Sequence, residues 1–380
     1  MEFSFTPEQL MFRDQVIKFA SKEIAPRCSE HDLRGEFDFD SFRKLGEFGI
    51  LGLHFPEQWG GSGADVVTTV MTGEALGEAG VDGGLTLAYG AHTFLCADTI
   101  LSHGTTEQKQ RYLPKLASGQ WIGCMGLTEP GAGSDVASIS TRAERKGDYY
   151  VLNGTKMFIT NGPIADVAVV YAKTEKDLKR AGISAFIVEK GTPGFRAGKN
   201  LIKMGVRTSH TSELIFEDCK IPVENRLGQE GDGWLMALQT VEWDRSALLA
   251  PFIGGMTYVL KKCIRYARER YQFGRPIGEF QAIKHKLAEI KIFIEAARSL
   301  CYRIAWCKDQ GRPLNHLEAA MAKLFVGDWS LGPANDAMML HGGYGYCHEY
   351  EVERYFRDSR LAPIGGGTSD IQKRIIQKLL

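Results

Sequence analysis

The hydrophobic pattern changes twice along the chain, and these two changes constrain the fold most. Residues 1–122 show helical periodicity, and Thr6-Pro7-Glu8-Gln9 forms a capping box that opens the first helix. Residues 123–234 contain short β-rich runs separated by turns, which is typical of an antiparallel sheet. Residues 235–380 return to long helical patterns. We therefore predict an α+β protein with an N-terminal α-helical domain (1–122), a middle antiparallel β domain (123–234) and a C-terminal α-helical domain (235–380).

The same patterns predict individual elements. The first helix is expected to end near Pro26. The expected strands include Tyr149–Leu152, Val167–Tyr171, Ile183–Val188 and Ser212–Phe216. The expected C-terminal helices are 234–270, 279–309, 316–340 and a last one from Thr368.

Charge and cysteine content exclude several classes of protein. The 46 basic and 46 acidic residues give a net charge of zero, which argues against nucleic acid or an anionic membrane as the main partner. The eight cysteines show neither C-x-x-C nor zinc-like spacing, so we expect buried thiols in a reducing compartment and no metal site. No hydrophobic run is long enough to span a membrane, and no signal or transit peptide is recognisable. We therefore expect a soluble cytoplasmic protein.

The stretch Leu127–Asp135 (Leu-Thr-Glu-Pro-Gly-Ala-Gly-Ser-Asp) has the composition of a ligand-binding loop. Gly131 and Gly133 have no Cβ, so the backbone there can approach a ligand closely. The stretch is neither a dinucleotide fingerprint nor a P-loop, because it lacks the third glycine and the Gly-Lys-Ser/Thr sequence. Taken alone, it is equally compatible with an ordinary tight turn.

A second stretch, Lys156-Met-Phe-Ile-Thr-Asn-Gly162, and a third, Arg268–Gln281, follow at characteristic distances. Together with the loop they resemble the acyl-CoA dehydrogenase family of flavoproteins over essentially the whole chain. The resemblance implies a C-terminal four-helix bundle, bound FAD and a homotetramer. It also implies oxidation of an acyl-CoA or acyl-carrier thioester at Cα–Cβ, with electrons passed to an electron-transfer flavoprotein.

The resemblance also implies which residues hold FAD. The Leu127 backbone and the Thr128 hydroxyl should bind the pyrimidine end of the flavin, Thr160 should lie near N5, and Phe158 should cover one ring face. Arg270 should reach the cofactor of a neighbouring subunit. The full implied set is Met125, Leu127, Thr128, Gly133, Ser134, Phe158, Thr160, Arg270, Phe273, Gln281, Gly342, Gly343, Thr368 and Asp370. The alternative is that Phe158 is an ordinary core residue, Thr160 an ordinary strand residue and Arg270 a solvated helix end.

The catalytic base departs from the usual family pattern. Most relatives carry a glutamate just before Gly-Thr-Ser, where this chain has Gly366. Its backbone N–H, which in the family donates to the thioester oxygen, is kept, but the carboxylate is lost. In isovaleryl-type and prolyl-thioester dehydrogenases the base instead directly precedes an arginine on an earlier helix. That alignment predicts Asp244, next to Arg245, as the base.

Glu242 is the second candidate for the base, at a position where many relatives have an acid that helps to bind the acyl-CoA. Glu242 and Asp244 lie about 200° apart around a helix, so both cannot face one flavin. An exposed salt bridge is the alternative explanation for either acid. The substrate-binding residues implied by the resemblance are Ser134, Glu242, Arg245 and Gly367.

The substrate prediction follows from side-chain size. Aspartate is one methylene shorter than glutamate, and a misplacement of about 1 Å costs about 10²-fold in rate. The Gly365-Gly366-Gly367 run removes bulk opposite the flavin. We therefore predict a branched or alicyclic acyl group, such as a cyclohexane carboxyl thioester. Four alternatives stay open: a prolyl or aminoacyl carrier-protein dehydrogenase, a 1,4-eliminating dehydrogenase, an acyl-CoA reductase, and a flavin or acyl-CoA binding protein without catalysis.

Overall fold

The computed structural model describes residues 4–175, 177–312 and 315–380, apart from the side chains of Glu242, Trp243, Asp244 and Ser246. It confirms the predicted order of helices, sheet and helices. The N-terminal helices are α1 (Pro7–Glu23), α2 (Ala25–Arg34), α3 (Phe39–Glu47), α4 (Val66–Glu78), α5 (Gly83–Gly90), α6 (Asp98–His103) and α7 (Thr106–Ala117), with a π-helical segment, Ala91–Ala97, between α5 and α6.

The first helix begins as predicted and ends earlier than predicted. The Thr6 hydroxyl accepts a hydrogen bond from the Gln9 N–H, and the Gln9 side chain accepts one from the Thr6 N–H. The chain breaks at Ile24, however, and Pro26 lies in the first turn of α2. A proline is tolerated there because the first N–H groups of a helix have no intrahelical acceptor.

The middle part forms an eight-stranded sheet. Its strands are β1 (Gly123–Gly126), β2 (Arg142–Lys146), β3 (Tyr149–Thr160), β4 (Val167–Lys173), β5 (Ile183–Glu189), β6 (Phe195–Ala197), β7 (Thr211–Pro222) and β8 (Arg226–Leu227). The strand order is β6-β7-β3-β2-β4-β5-β8, with β1 beside β4. The pairings are antiparallel except β1–β4 and β2–β4, which are parallel. One face of the sheet packs residues such as Val169 and Ile187 against Leu113 and Leu116 of α7.

The C-terminal part consists of α8 (Gly233–Ala247), α9 (Leu249–Glu269), the short strands β9 (Tyr271–Gln272) and β10 (Arg275–Pro276), α10 (Gln281–Asp309), α11 (His316–Trp329), α12 (Leu331–His341), α13 (Val352–Ser359) and α14 (Ser369–Leu379). Helices α9 to α12 share one apolar core and form the bundle. The last helix begins as predicted, with Thr368 as its N-cap.

Two predicted helices are each interrupted. The segment 234–270 breaks at Leu248, and the segment 316–340 breaks at Ser330. Pro251 and Pro333 lie three residues beyond these breaks and have no N–H to donate to the preceding turn, so each starts a new helix.

All eight cysteines are free thiols. Six are buried as expected, but the expectation is wrong for Cys307, which is half-buried, and for Cys347, which is exposed. Within the described ranges, no helix combines the length and apolar composition that a membrane crossing requires.

Candidate active site

The two stretches predicted to hold a flavin lie side by side. The loop after β1 closes through reciprocal backbone hydrogen bonds between Glu129 and Ala132, both 3.1 Å. The Met157 N–H of β3 donates to the Thr128 carbonyl at 2.8 Å. A Cβ added at Gly131 or Gly133 would point into open space, so the chain itself leaves room beside this loop.

Phe158 projects from the sheet. The β3–β7 register shifts between Lys156 and Ile159, and within this bulge Phe158 has φ 60° and is 64% exposed. A positive φ is unfavourable for a bulky residue, which marks the position as strained. The core-residue alternative for Phe158 is therefore wrong. Thr160, two residues further along β3, is half-buried.

A cavity of about 410 Å³ brings Arg270 together with Gly342 and Gly343, which follow α12. The Arg270 guanidinium lies 5.7 Å from the centre of the Tyr344 ring, close enough for a cation–π contact. Phe273, in the β9–β10 turn, has φ 54° and is 93% exposed. A guanidinium group beside an open, glycine-rich cavity surface is suited to bind a phosphate-containing ligand.

The remaining predicted cofactor residues lie on or near helix starts or along the loop. Gln281 is the first residue of α10, and the Thr368 hydroxyl accepts from the Ile371 N–H at 3.4 Å. Asp370 is exposed, its carboxylate 3.5 Å from Lys373 Nζ. Met125 is half-buried in β1, and Ser134 is exposed on the loop.

Three helices converge on the turn that contains Gly366. Arg245 of α8 donates through Nε to the Gly366 carbonyl at 3.3 Å. Lys323 of α11 and Gln372 of α14 donate to the Gly367 carbonyl at 2.5 and 3.0 Å. Gly366 and Gly367 have φ values of 65° and 94°. Helix α8, which contains Arg245, therefore contacts the turn that holds the base in most relatives.

The side chains of the two candidate bases, Asp244 and Glu242, lie outside the described residues, so their assignment stays a prediction. Sequence reasoning missed Lys323 and Gln372, because a lysine or glutamine on a helix carries no mark of the carbonyl it will meet.

Models of the acyl-CoA dehydrogenase N-terminal, middle and C-terminal domains match residues 6–120, 124–219 and 231–380. The chain belongs to the acyl-CoA dehydrogenase family. The short-chain specific acyl-CoA dehydrogenase of Clostridium acetobutylicum is 42% identical over 99% of this dehydrogenase and 98% of its own length. A mitochondrial isovaleryl-CoA dehydrogenase of Oryza sativa subsp. japonica is 41% identical over 99% of this chain and 92% of its own.

Solved structures agree with this assignment. A chain from the electron transferring flavoprotein study of Acidaminococcus fermentans superimposes with a TM-score of 0.97 at 44% identity, covering 100% of this dehydrogenase and 99% of that chain. The prolyl acyl carrier protein oxidase AnaB superimposes with a TM-score of 0.96 at 39% identity, covering 99% of both chains.

The dehydrogenase is an FAD-dependent oxidoreductase, and its described residues fit that cofactor. Open space lies beside Gly131 and Gly133, an exposed aromatic ring stands at Phe158, and Arg270 lines a separate cavity large enough for part of a dinucleotide. FAD supplies a ring that accepts a hydride from the substrate.

Proposed function

We propose that this dehydrogenase oxidises the Cα–Cβ bond of a branched or alicyclic acyl thioester, with Asp244 as the base. The observation that carries the proposal is the contact between Arg245 and the Gly366 carbonyl at 3.3 Å. It joins the helix that contains Asp244 to a turn without a carboxylate. Asp244 therefore directly precedes, on α8, a residue that contacts the turn in which Gly366 replaces the usual glutamate.

In this proposal each residue has a defined task. Asp244 takes the α-proton, and the Gly366 N–H donates to the thioester oxygen, which acidifies that proton. Arg245, Lys323 and Gln372 hold the carbonyls of the turn and so fix the direction of its N–H groups. Phe158 and Thr160 line the flavin, Gly342 and Gly343 lie beside an adenosine half, and Arg270 reaches the cofactor of a neighbouring subunit.

The proposed acyl group rests on the space beside Gly366 and on the substrates for which relatives are named. Gly366 is exposed and has no side chain, which widens the site on the side of the turn. The isovaleryl-CoA dehydrogenase relative is named for a branched substrate, whereas the Clostridium relative is named for short chains. A panel of isovaleryl, cyclohexane carboxyl, butyryl and octanoyl thioesters, scored by anaerobic flavin bleaching, tests the proposal. Fastest bleaching by butyryl or octanoyl-CoA would contradict the branched or alicyclic assignment.

The base is tested separately by Asp244→Asn, with Glu242→Gln as the matched control on the same helix. We expect Asp244→Asn to lower the bleaching rate by about 10²–10⁴-fold, the usual contribution of a general base, while FAD stays bound. Glu242→Gln should act mainly on thioester affinity. The reverse pattern would assign the base to Glu242.

A second candidate, a prolyl carrier-protein dehydrogenase, is favoured by the similarity to AnaB. Prolyl-loaded carrier protein belongs in the same panel, and bleaching by it alone would select this candidate. We further propose an electron-transfer flavoprotein as acceptor and a homotetramer, in which the exposed Phe273 meets a neighbouring subunit. Sedimentation velocity tests the homotetramer. Comparison of turnover with a dye and with an electron-transfer flavoprotein as acceptor tests the electron acceptor. The cytoplasmic location stays a prediction.

A further inference from the structure

A buried ion pair joins the loop 127–135 to β3. Lys156 Nζ is 2.7 Å from Glu129 Oε1, and the two side chains are 0% and 3% exposed. Both residues belong to the stretches that resemble family motifs, but their pairing was not apparent from the sequence because 27 residues separate them. A pair of charges removed from water in this way needs a physical reason.

The two charged groups are well provided with partners. Glu129 Oε2 accepts from the Ser140 N–H and hydroxyl at 2.6 and 2.7 Å, and Oε1 accepts from the Thr141 N–H at 2.9 Å as well as from Lys156. Lys156 also donates to the Leu127 carbonyl at 3.1 Å. Burial raises the pKa of Glu129, but Lys156 and the N–H donors outweigh it and lower the pKa to about 2. Burial lowers the pKa of Lys156 to about 8, so both groups are charged at pH 7.

The pair fixes the register between the loop and β3. Lys156 holds the Leu127 carbonyl and the Glu129 carboxylate, and Met157 holds the Thr128 carbonyl. Three consecutive loop residues are thus tied to two consecutive strand residues. The next strand residue is Phe158, whose backbone is strained.

The contact with Leu127 also sets the direction of a neighbouring donor. In a trans peptide the carbonyl and the following N–H point in opposite directions. The Leu127 carbonyl points inward to Lys156, so the Thr128 N–H of the same peptide points away from the buried lysine. Among the described residues, the Thr128 N–H has no hydrogen-bond acceptor. An ammonium group on the carbonyl also polarises the peptide and strengthens its N–H as a donor.

We infer that Lys156 and Glu129 are positioning residues for FAD, which aim the Thr128 N–H and hydroxyl at the cofactor and hold Phe158 beside it. The inference rests on the proposed assignment of this loop to FAD. General energetics support a directional role, because replacing a buried ion pair by apolar side chains is often neutral or stabilising. Stability alone therefore does not require these charges, whereas a defined peptide orientation does.

The test is Lys156→Met, which keeps much of the side-chain volume and removes the charge. We expect the FAD dissociation constant to rise at least about tenfold, as for loss of a hydrogen bond to a charged group. We also expect a changed visible spectrum of the bound flavin and faster hydrogen exchange of residues 127–135 in the FAD-free protein. The matched control is Arg298→Met, which removes the cation from the buried Glu74 between α4 and α10. It should lower the melting temperature and leave FAD affinity and the spectrum unchanged.

A double variant, Glu129→Gln/Lys156→Met, keeps the test decisive if Lys156→Met does not fold, because it leaves no unpaired buried carboxylate. It should fold and still bind FAD at least about tenfold more weakly. Wild-type FAD affinity and spectrum in the double variant, or equal losses in Arg298→Met, would overturn the inference. Thr128→Ala distinguishes the positioning role of the ion pair from the assignment of the loop to FAD. Weaker FAD binding in Thr128→Ala alone would refute the positioning role and keep the loop assignment. No effect in any variant would refute both.

Discussion

Gly366 offers a direct test of why the base has moved, because its backbone does not favour a side chain. Its φ of 65° lies in the left-handed region, where a non-glycine residue costs about 1–2 kcal/mol. The turn cannot relax freely, since the Gly366 carbonyl accepts from Arg245 at 3.3 Å. We therefore expect Gly366→Ala and Gly366→Glu each to lower the free energy of unfolding by about 1–2 kcal/mol.

The two variants should differ in activity. Gly366→Glu returns a carboxylate to the turn, so flavin bleaching by butyryl-CoA should become faster, and this gain should persist when Asp244→Asn is added. Gly366→Ala pays the same backbone penalty without the carboxylate and should show no gain. Stability is measured by urea unfolding with saturating FAD, and bleaching by anaerobic stopped flow.

Two results would refute this reasoning. Wild-type stability in both variants would show that the left-handed conformation does not restrict this position. Equal butyryl-CoA rates in the alanine and glutamate variants would show that the carboxylate is not what the turn lacks.

Three further predictions concern charged side chains. Burial raises the pKa of Asp358 from 3.8 to about 7, so the folded state keeps this proton between about pH 4 and pH 7 while the unfolded state loses it. The stabilising contribution of this proton, up to about 4 kcal/mol, is complete below pH 4 and is lost as pH rises to 7. Asp358→Asn retains an acceptor for the Val206 N–H and should make the free energy of unfolding in urea less dependent on pH over this range. An unchanged pH dependence in this variant would exclude Asp358 as its source. Arg245→Gln should lower kcat/KM by about tenfold or more by releasing the Gly366 carbonyl, and unchanged steady-state kinetics would contradict that role. Arg270→Lys should weaken FAD binding by about tenfold because lysine lacks the planar fork; equal FAD release on dilution, followed by flavin fluorescence, would remove Arg270 from the cofactor site.

Much of the fold was predictable because its determinants are local. The capping box at Thr6 and the N-cap at Thr368 involve residues three positions apart, and the hydrophobic period separates helices from strands. The breaks at Leu248 and Ser330 were missed although Pro251 and Pro333 were visible. A proline three residues into a helix is compatible with both a kink and a new start, and packing decides between them.

The sequence alone therefore determined the order of the three parts, the family resemblance and the absence of a glutamate at Gly366. Only the tertiary structure decided that a bulge exposes Phe158, that Lys156 meets Glu129 across 27 residues, and that Arg245 meets Gly366 across 121. Periodicity and caps depend on neighbours within about one helical turn. The direction of a peptide in a binding loop depends on which distant side chain packing brings to its carbonyl, and a single sequence does not specify that contact.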